Sequence, residues 1–268
     1  MYSQSTGEMK LVRMKVFFFD MDGVLSIGKE HPRYISGRRV IARIKSSGKQ
    51  AFVLTNNSTH IREEIHRGLV HLGFNFKIED ILTSSYLTAL YLTHRFGQVR
   101  FFLVGERGLR EELEAEGHQY TESNPDVVVV GFDRGLTYRK LDIALRFLRN
   151  GALLIGSYGG SVYMSASGPA LSAGPIIKAL EYGAHKRAVM IGKPSPRMFR
   201  LALKFAHEEA SNAVMVGDQI ETDLAGAKRI GIHTVLVLTG VETEASIKHS
   251  TVKPELVIEN ADKLTRYL

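Results

Sequence analysis

The chain contains no cysteine, which excludes disulfides and thiolate metal centres. No apolar run approaches the ~18 residues that a membrane span requires. The first fifteen residues carry Ser, Gln, Thr, Gly and Glu with no hydrophobic segment of the secretory kind, so they read as a frayed tail. These absences fit a reducing, cytoplasmic setting and no membrane partner. Three motif absences narrow the chemistry. No G-x-G-x-x-G follows the first apolar run, which argues against a dinucleotide dehydrogenase. Gly192-Lys193 is followed by Pro194, and Arg187 stands where a P-loop needs its first glycine, so that motif fails. No H-E-x-x-H occurs, and the spacing of six between His60 and His66 does not place both on one helix face, against a zinc hydrolase. Positive charge is in excess, 35 Lys and Arg against 28 Asp and Glu, but it is scattered. The densest cluster, Arg38 to Lys45, falls on the polar side of an expected helix. A nucleic-acid partner would want a basic stripe interleaved with aromatics, so a small anionic partner is the better expectation.

What is present is an ordinary globular composition, 44% hydrophobic and 24% charged over 268 residues. That length suits one large or two modest domains. The run Val16-Phe17-Phe18-Phe19 stops at Asp20-Met21-Asp22-Gly23, the pattern of a buried parallel strand ending in turn chemistry. A helix should follow, N-capped by Ser36, with Val40, Ile41 and Ile44 on one face and Gly48 at its end. Strand Gln50 to Leu54, a helix from about His60, strand Asp80 to Thr83 and helix Tyr86 to Phe96 continue the alternation. From Val99 the texture changes. Strands are expected at 100–104, 127–130 and 152–155, with helices at 109–116, 137–149 and 174–182. Gly156 to Ser161 is too glycine-rich for a regular element. Strands at 188–191, 213–216, 233–238 and 256–258, with a helix from Ser195-Pro196 and a loop at 219–221, complete an α/β protein with a parallel sheet.

In a parallel sheet the strand ends share one edge, so groups distant in sequence converge there. Those ends carry Asp20 and Asp22, Thr55, Lys193, and Asp218 with Asp223. Each alone reads as a turn or a solvated side chain. In this order they resemble the haloacid dehalogenase superfamily of phosphatases. The matching motifs are Asp20-Met21-Asp22-Gly23, Leu54-Thr55-Asn56-Asn57-Ser58, Gly192-Lys193-Pro194 and Gly217-Asp218-Gln219-Ile220-Glu221-Thr222-Asp223. More narrowly, these with Gly105-Glu106-Arg107-Gly108-Leu109, Leu136-Thr137-Tyr138 and Val237-Leu238-Thr239-Gly240-Val241 look like the NagD and p-nitrophenyl phosphatase branch.

The resemblance implies a Rossmann-like core, residues 1–97 plus 187–268, with an inserted α/β cap at 98–186. It implies a Mg²⁺-dependent phosphomonoester hydrolase. Asp20 and Asp218 would offer carboxylate oxygens to the metal and Asp22 its backbone carbonyl. Asp20 would be the nucleophile and Asp22 the general acid and base. Thr55 and the backbone amides of Asn56 and Asn57 would hold phosphoryl oxygens, with Lys193 adding positive charge. Asp223 would orient Lys193 or a metal-bound water. The expected partner is a small phosphorylated metabolite, with a homodimer through the cap as the branch suggests. The same residues allow a phosphotransferase, or a phospho-ligand binding protein without turnover. One departure stands out. Where the branch carries Thr-Asn-Pro-Asp, this chain has Ser157-Tyr158-Gly159-Gly160, with Tyr163 following. The expectation is either a loosened hinge or a loop whose tyrosines favour larger leaving groups.

Overall fold

The structure, a computed structural model, describes residues 11–28, 32–165 and 168–268, the side chains of Met164 and Ser165 excepted. The segment expected as a frayed tail lies, through Lys10, outside the described residues. The chain forms two compact units. One comprises the chain through Leu54 with Gly68–Asp80 and Leu203–Leu268; the other comprises Thr55–Arg67 and Ile81–Ala202. The units therefore do not part at 98 and 186. The second takes in 98–186 and flanking sequence on both sides.

In the first unit the strands lie in the order Leu256–Ile258, His233–Val237, Ala213–Gly217, Val16–Phe19 and Gln50–Thr55, the last of these ending where the second unit begins. Every pairing is parallel. Val16–Phe19 is buried throughout, as a strand with neighbours on both edges and covered faces must be. Phe19 is level with Val216 on one side and Val53 on the other, and the Asp20 N–H donates to Val216 O at 2.9 Å. Asp20 and Asp218 thus leave adjacent strands at the same edge. The chain passes from Val16–Phe19 to one neighbour and later returns to the other. This is a topological switch point, and ligands of open α/β sheets bind in the crevice outside it.

Helix Arg38–Ser46 buries Val40, Ile41 and Ile44, as the sequence pattern predicts. Ser36 is not its cap. Gly37 holds that position in a left-handed conformation, φ 104°, where a side chain would also strike Leu25. The buried Ser36 hydroxyl instead donates to Val24 O at 2.8 Å and accepts from Ala261 N at 3.2 Å. It ties the loop after the first strand to the C-terminal turn.

The second unit has its own parallel sheet, in the order Val189–Met190, Leu153–Gly156, Val127–Val130, Arg100–Val104 and Gln119–Tyr120. Helices Tyr138–Arg149 and Ala173–Ala184 add Ala144, Leu148, Ile177 and Leu180 to a core begun by Phe102, Val104, Val128 and Val130. Thr137 caps the first of them, accepting from Lys140 N at 3.2 Å. After the glycine-rich run the chain makes an antiparallel hairpin, Val162–Ser165 with Gly168–Leu171. Its Tyr163 ring meets Phe132 edge-on at 4.8 Å. Gly160 lies against Tyr158, whose hydroxyl a Cβ at 160 would overlap.

Packing explains why this unit exceeds the expected insert. Helix Arg107–Ala115 lies against the turn before helix Arg62–His71, close enough that a Cβ at Gly108 would collide with the Thr59 backbone. The buried Glu112 carboxylate accepts from Arg62 N at 2.7 Å and from Arg62 Nε at 3.3 Å. The same guanidinium stacks on Tyr86, 3.4 Å from the ring centroid. Burial pushes the Glu112 carboxyl above its ordinary range, against hydrogen bonds and charge from Arg62 that pull it down. With rising pH, then, an unfolded Glu112 releases its proton before the folded one does. Stability falls across that window. Glu112→Gln should flatten this part of the curve of Tm against pH. Parallel curves for the two proteins would remove the assignment. No helix among the described residues is long and apolar enough to cross a membrane.

Candidate active site

In the first unit, carboxylate oxygens of Asp20, Asp218 and Asp223 all lie within 4.8 Å of one another. All three residues are buried. Asp223, expected only as a supporting residue, is a full member of the trio. Asp22 is half-buried and its side chain is not part of the cluster.

The backbone builds this arrangement. Asp218 Oδ2 accepts from Val241 N at 2.9 Å, and Asp218 O accepts from Glu242 N at 3.3 Å. Gly23 and Gly240 close in on the same carboxylate. A Cβ at Gly240 would stand 1.9 Å from Asp218 Oδ2, and one at Gly23 would stand 2.4 Å away. Thr239 Oγ1 donates to Gly23 O at 2.6 Å, joining the two glycine segments. On the other side Gly217 is pressed against Asp223, where a Cβ would fall 2.4 Å from the carboxylate. Asp223 Oδ2 accepts from Gln219 N at 3.1 Å. The loop expected at 219–221 is instead the start of a π-helical turn, Ile220–Leu224. That wider turn faces the Asp223 carboxylate back toward the strand end.

Three buried carboxylates this close repel one another unless they share protons or a cation. The donors are all oxygen, which suits a hard divalent ion and not a thiolate- or imidazole-seeking one. The trio fits a metal ion on both counts.

In the second unit, Thr55 Oγ1 accepts from Asn57 N at 3.2 Å. The side chain of Asn57 serves the turn: its Oδ1 accepts from Thr59 N, Thr59 Oγ1 and His60 N at 3.1, 3.3 and 3.1 Å, an Asx turn leading into the next helix. Asn56 behaves differently. Its Nδ2 donates to Lys193 O at 3.0 Å, and its Oδ1 accepts from Lys193 N at 2.8 Å. Ser84 Oγ donates to Asn56 O at 3.1 Å and Asn57 O at 3.3 Å. Lys193 is 2% exposed, far from the solvated lysine that its sequence position alone suggests. Ser195 Oγ accepts from Arg197 N at 3.3 Å, starting helix Pro196–Ala206 as expected, and donates to Met190 O at 2.7 Å.

The structure therefore gathers Asp20, Asp218 and Asp223 in one unit, and Thr55, Asn56, Asn57 and Lys193 in the other. Sequence reasoning noted Thr239-Gly240-Val241 as a motif but gave it no task. The signal was its position, just after strand His233–Val237 at the edge that bears the acids. The resemblance speaks only for the backbone amide of Asn56, and no spacing in the sequence links its side chain to Lys193.

Family models match two stretches, a haloacid dehalogenase-like hydrolase model at residues 17–119 and a HAD-hydrolase-like model at 190–264. The chain is 32% identical over 257 residues to the phospholysine phosphohistidine inorganic pyrophosphate phosphatase of Homo sapiens, covering 94% of this chain and 93% of that protein. Among solved structures, the p-nitrophenyl phosphatase from Archaeoglobus fulgidus matches with a TM-score of 0.90 at 31% identity, over 95% of this chain and 99% of that one. NagD from E. coli K-12 matches with a TM-score of 0.84 at 26% identity, over 92% and 97%.

Proposed function

We propose, since the chain belongs to the haloacid dehalogenase-like hydrolases, that this phosphatase hydrolyses small phosphate monoesters with Mg²⁺ through an aspartyl phosphate on Asp20. The observation that carries the reading is the buried trio Asp20, Asp218 and Asp223 at the sheet's switch point. An Asp20 carboxylate oxygen attacks phosphorus, and the bond from phosphorus to the ester oxygen breaks. Asp22, half-buried and outside the acidic trio, protonates the departing alkoxide. It then takes a proton from the water that attacks the aspartyl phosphate, so inorganic phosphate leaves and Asp20 is restored. The carboxylates of Asp20 and Asp218 and the backbone carbonyl of Asp22 would hold the metal, with Asp223 beside them. When bound, Mg²⁺ supplies the positive charge that an anionic nucleophile and an anionic ester both need. Thr55 and the backbone amides of Asn56 and Asn57 bind phosphoryl oxygens, the Asn57 N–H exchanging its bond to Thr55 Oγ1 for one to substrate. Lys193 stabilises charge on the transferring group.

Residues 98–186 are assigned as the cap that chooses the leaving group, and the pairing of two chains is assigned to the same region. The substrates for which the relatives are named, which range from p-nitrophenyl phosphate to phospholysine, support a small phosphorylated metabolite without fixing its leaving group. The lack of cysteine supports a cytoplasmic setting. Incubation with p-nitrophenyl phosphate and Mg²⁺, without any alcohol acceptor, should release nitrophenolate and phosphate in equal amounts. Turnover only when an alcohol is added would make the protein a phosphotransferase. Binding without turnover would make it a receptor for phosphorylated ligands.

A further inference from the structure

Asn56 and Lys193 are 137 residues apart in sequence, yet one side chain reads the other's backbone in full. The Asn56 carboxamide takes both hydrogen-bonding groups of the Lys193 main chain, the N–H at 2.8 Å and the C=O at 3.0 Å. A primary amide that bridges the N–H and the C=O of one residue holds the two peptide planes on either side of its Cα, which one hydrogen bond cannot do. The surroundings leave the amide little choice. A Cβ at Gly192 would fall 2.7 Å from Asn56 Oδ1 and 2.4 Å from Ser157 O, so the amide occupies the space that a side chain at 192 would need. Gly192 N donates to that same Ser157 O at 3.0 Å. The Asn56 backbone is held in turn, because Ser84 Oγ donates to its carbonyl and to that of Asn57.

We propose that Asn56 is a positioning residue, whose carboxamide sets the main chain of Lys193 and so the origin of the lysine side chain. The proposal rests on the reading of Lys193 as the cation that stabilises the transferring phosphoryl group. It gives Asn56 a task distinct from any contact its backbone amide makes with phosphate. Lysine hangs its charge on a flexible four-carbon stem, so its base must be fixed if the charge is to be. A displacement near 1 Å at a reacting centre can lower rate by about 100-fold.

The experiment is a double-mutant cycle on p-nitrophenyl phosphate hydrolysis, with wild type, Asn56→Ala, Lys193→Ala and the double mutant, each checked by thermal melting. Asn56→Ala should lower kcat by roughly 10- to 100-fold with a smaller change in KM. In the Lys193→Ala background the same substitution should change kcat by less than about threefold, because a positioning residue has no effect once its client is gone. Independent losses that multiply in the double mutant would overturn the proposal, since a general packing role or a direct substrate contact acts with or without the lysine. Should Asn56→Ala not fold, Asn56→Asp replaces it. That variant keeps the acceptor for Lys193 N and loses the donor to Lys193 O, and it faces the same test of non-additivity. An inactive wild type would instead refute the hydrolase reading, and full activity of Lys193→Ala would refute the lysine's role. Neither outcome can be confused with multiplied losses.

Discussion

Replacement of Asp20 by asparagine should lower kcat for phosphate monoesters by at least about 10⁴-fold, the scale on which removal of a nucleophile acts. Shape is conserved in this change and nucleophilicity is not. The backbone at Asp20 is fixed by its hydrogen bond to Val216 O and by the buried strand before it, so the asparagine has no reason to move. Phosphate binding should survive, because the polar groups of the second unit are untouched. The measurements are steady-state kinetics and inhibition by inorganic phosphate. Activity within tenfold of wild type would exclude a covalent intermediate on Asp20. A loss of both turnover and phosphate binding would point to a role in holding the ligand instead.

Chelation should have an effect as large. EDTA is expected to abolish turnover and Mg²⁺ to restore it. Ca²⁺ should inhibit, because its larger and looser coordination shell does not hold reactants in line. A second readout is independent of catalysis. Three buried carboxylates with oxygens within 4.8 Å destabilise the fold when all are ionised, and a cation that binds only the folded state stabilises it by mass action. Tm should therefore rise with Mg²⁺ concentration at neutral pH. Full activity after exhaustive chelation, with a Tm indifferent to Mg²⁺, would rule out the metal.

Much of this was legible in the residues, for reasons that can be named. Val16 to Phe19 could be read as a central strand because a strand with neighbours on both edges has no polar face to keep. Thr137 and Ser195 could be read as helix starts because capping is a local interaction. Ser36 has the same local signature and misleads. Its hydroxyl is claimed by Val24 and Ala261, and no spacing rule announces a partner 225 residues away. The hairpin at Val162–Ser165 and Gly168–Leu171 was missed because Gly-Pro-Ala-Leu has neither the alternation nor the β-branched residues of a strand. The acids are legible as motifs, but the closeness of Asp223 to the other two is not. A π-helical turn spaces residues differently from the loop expected there, and this turn returns Asp223 to the trio. Asn56 shows the sharpest limit. Its neighbours in sequence read as a polar strand end, while its side chain is bonded to the main chain of a residue encoded far downstream.

For laboratory evolution, the glycines around the acidic trio set a boundary. Positions 23, 217 and 240 accept no methyl group without displacing a carboxylate, so lineages that survive selection for turnover will share one acid geometry whatever else they exchange. Gly68 is the contrast. It lies within helix Arg62–His71 with open space where a side chain would go, and alanine there adds roughly 1 kcal/mol of helix propensity. Heritable variation in this protein is thus channelled. The acid geometry is locked by backbone crowding, while stability can be raised at sites such as Gly68.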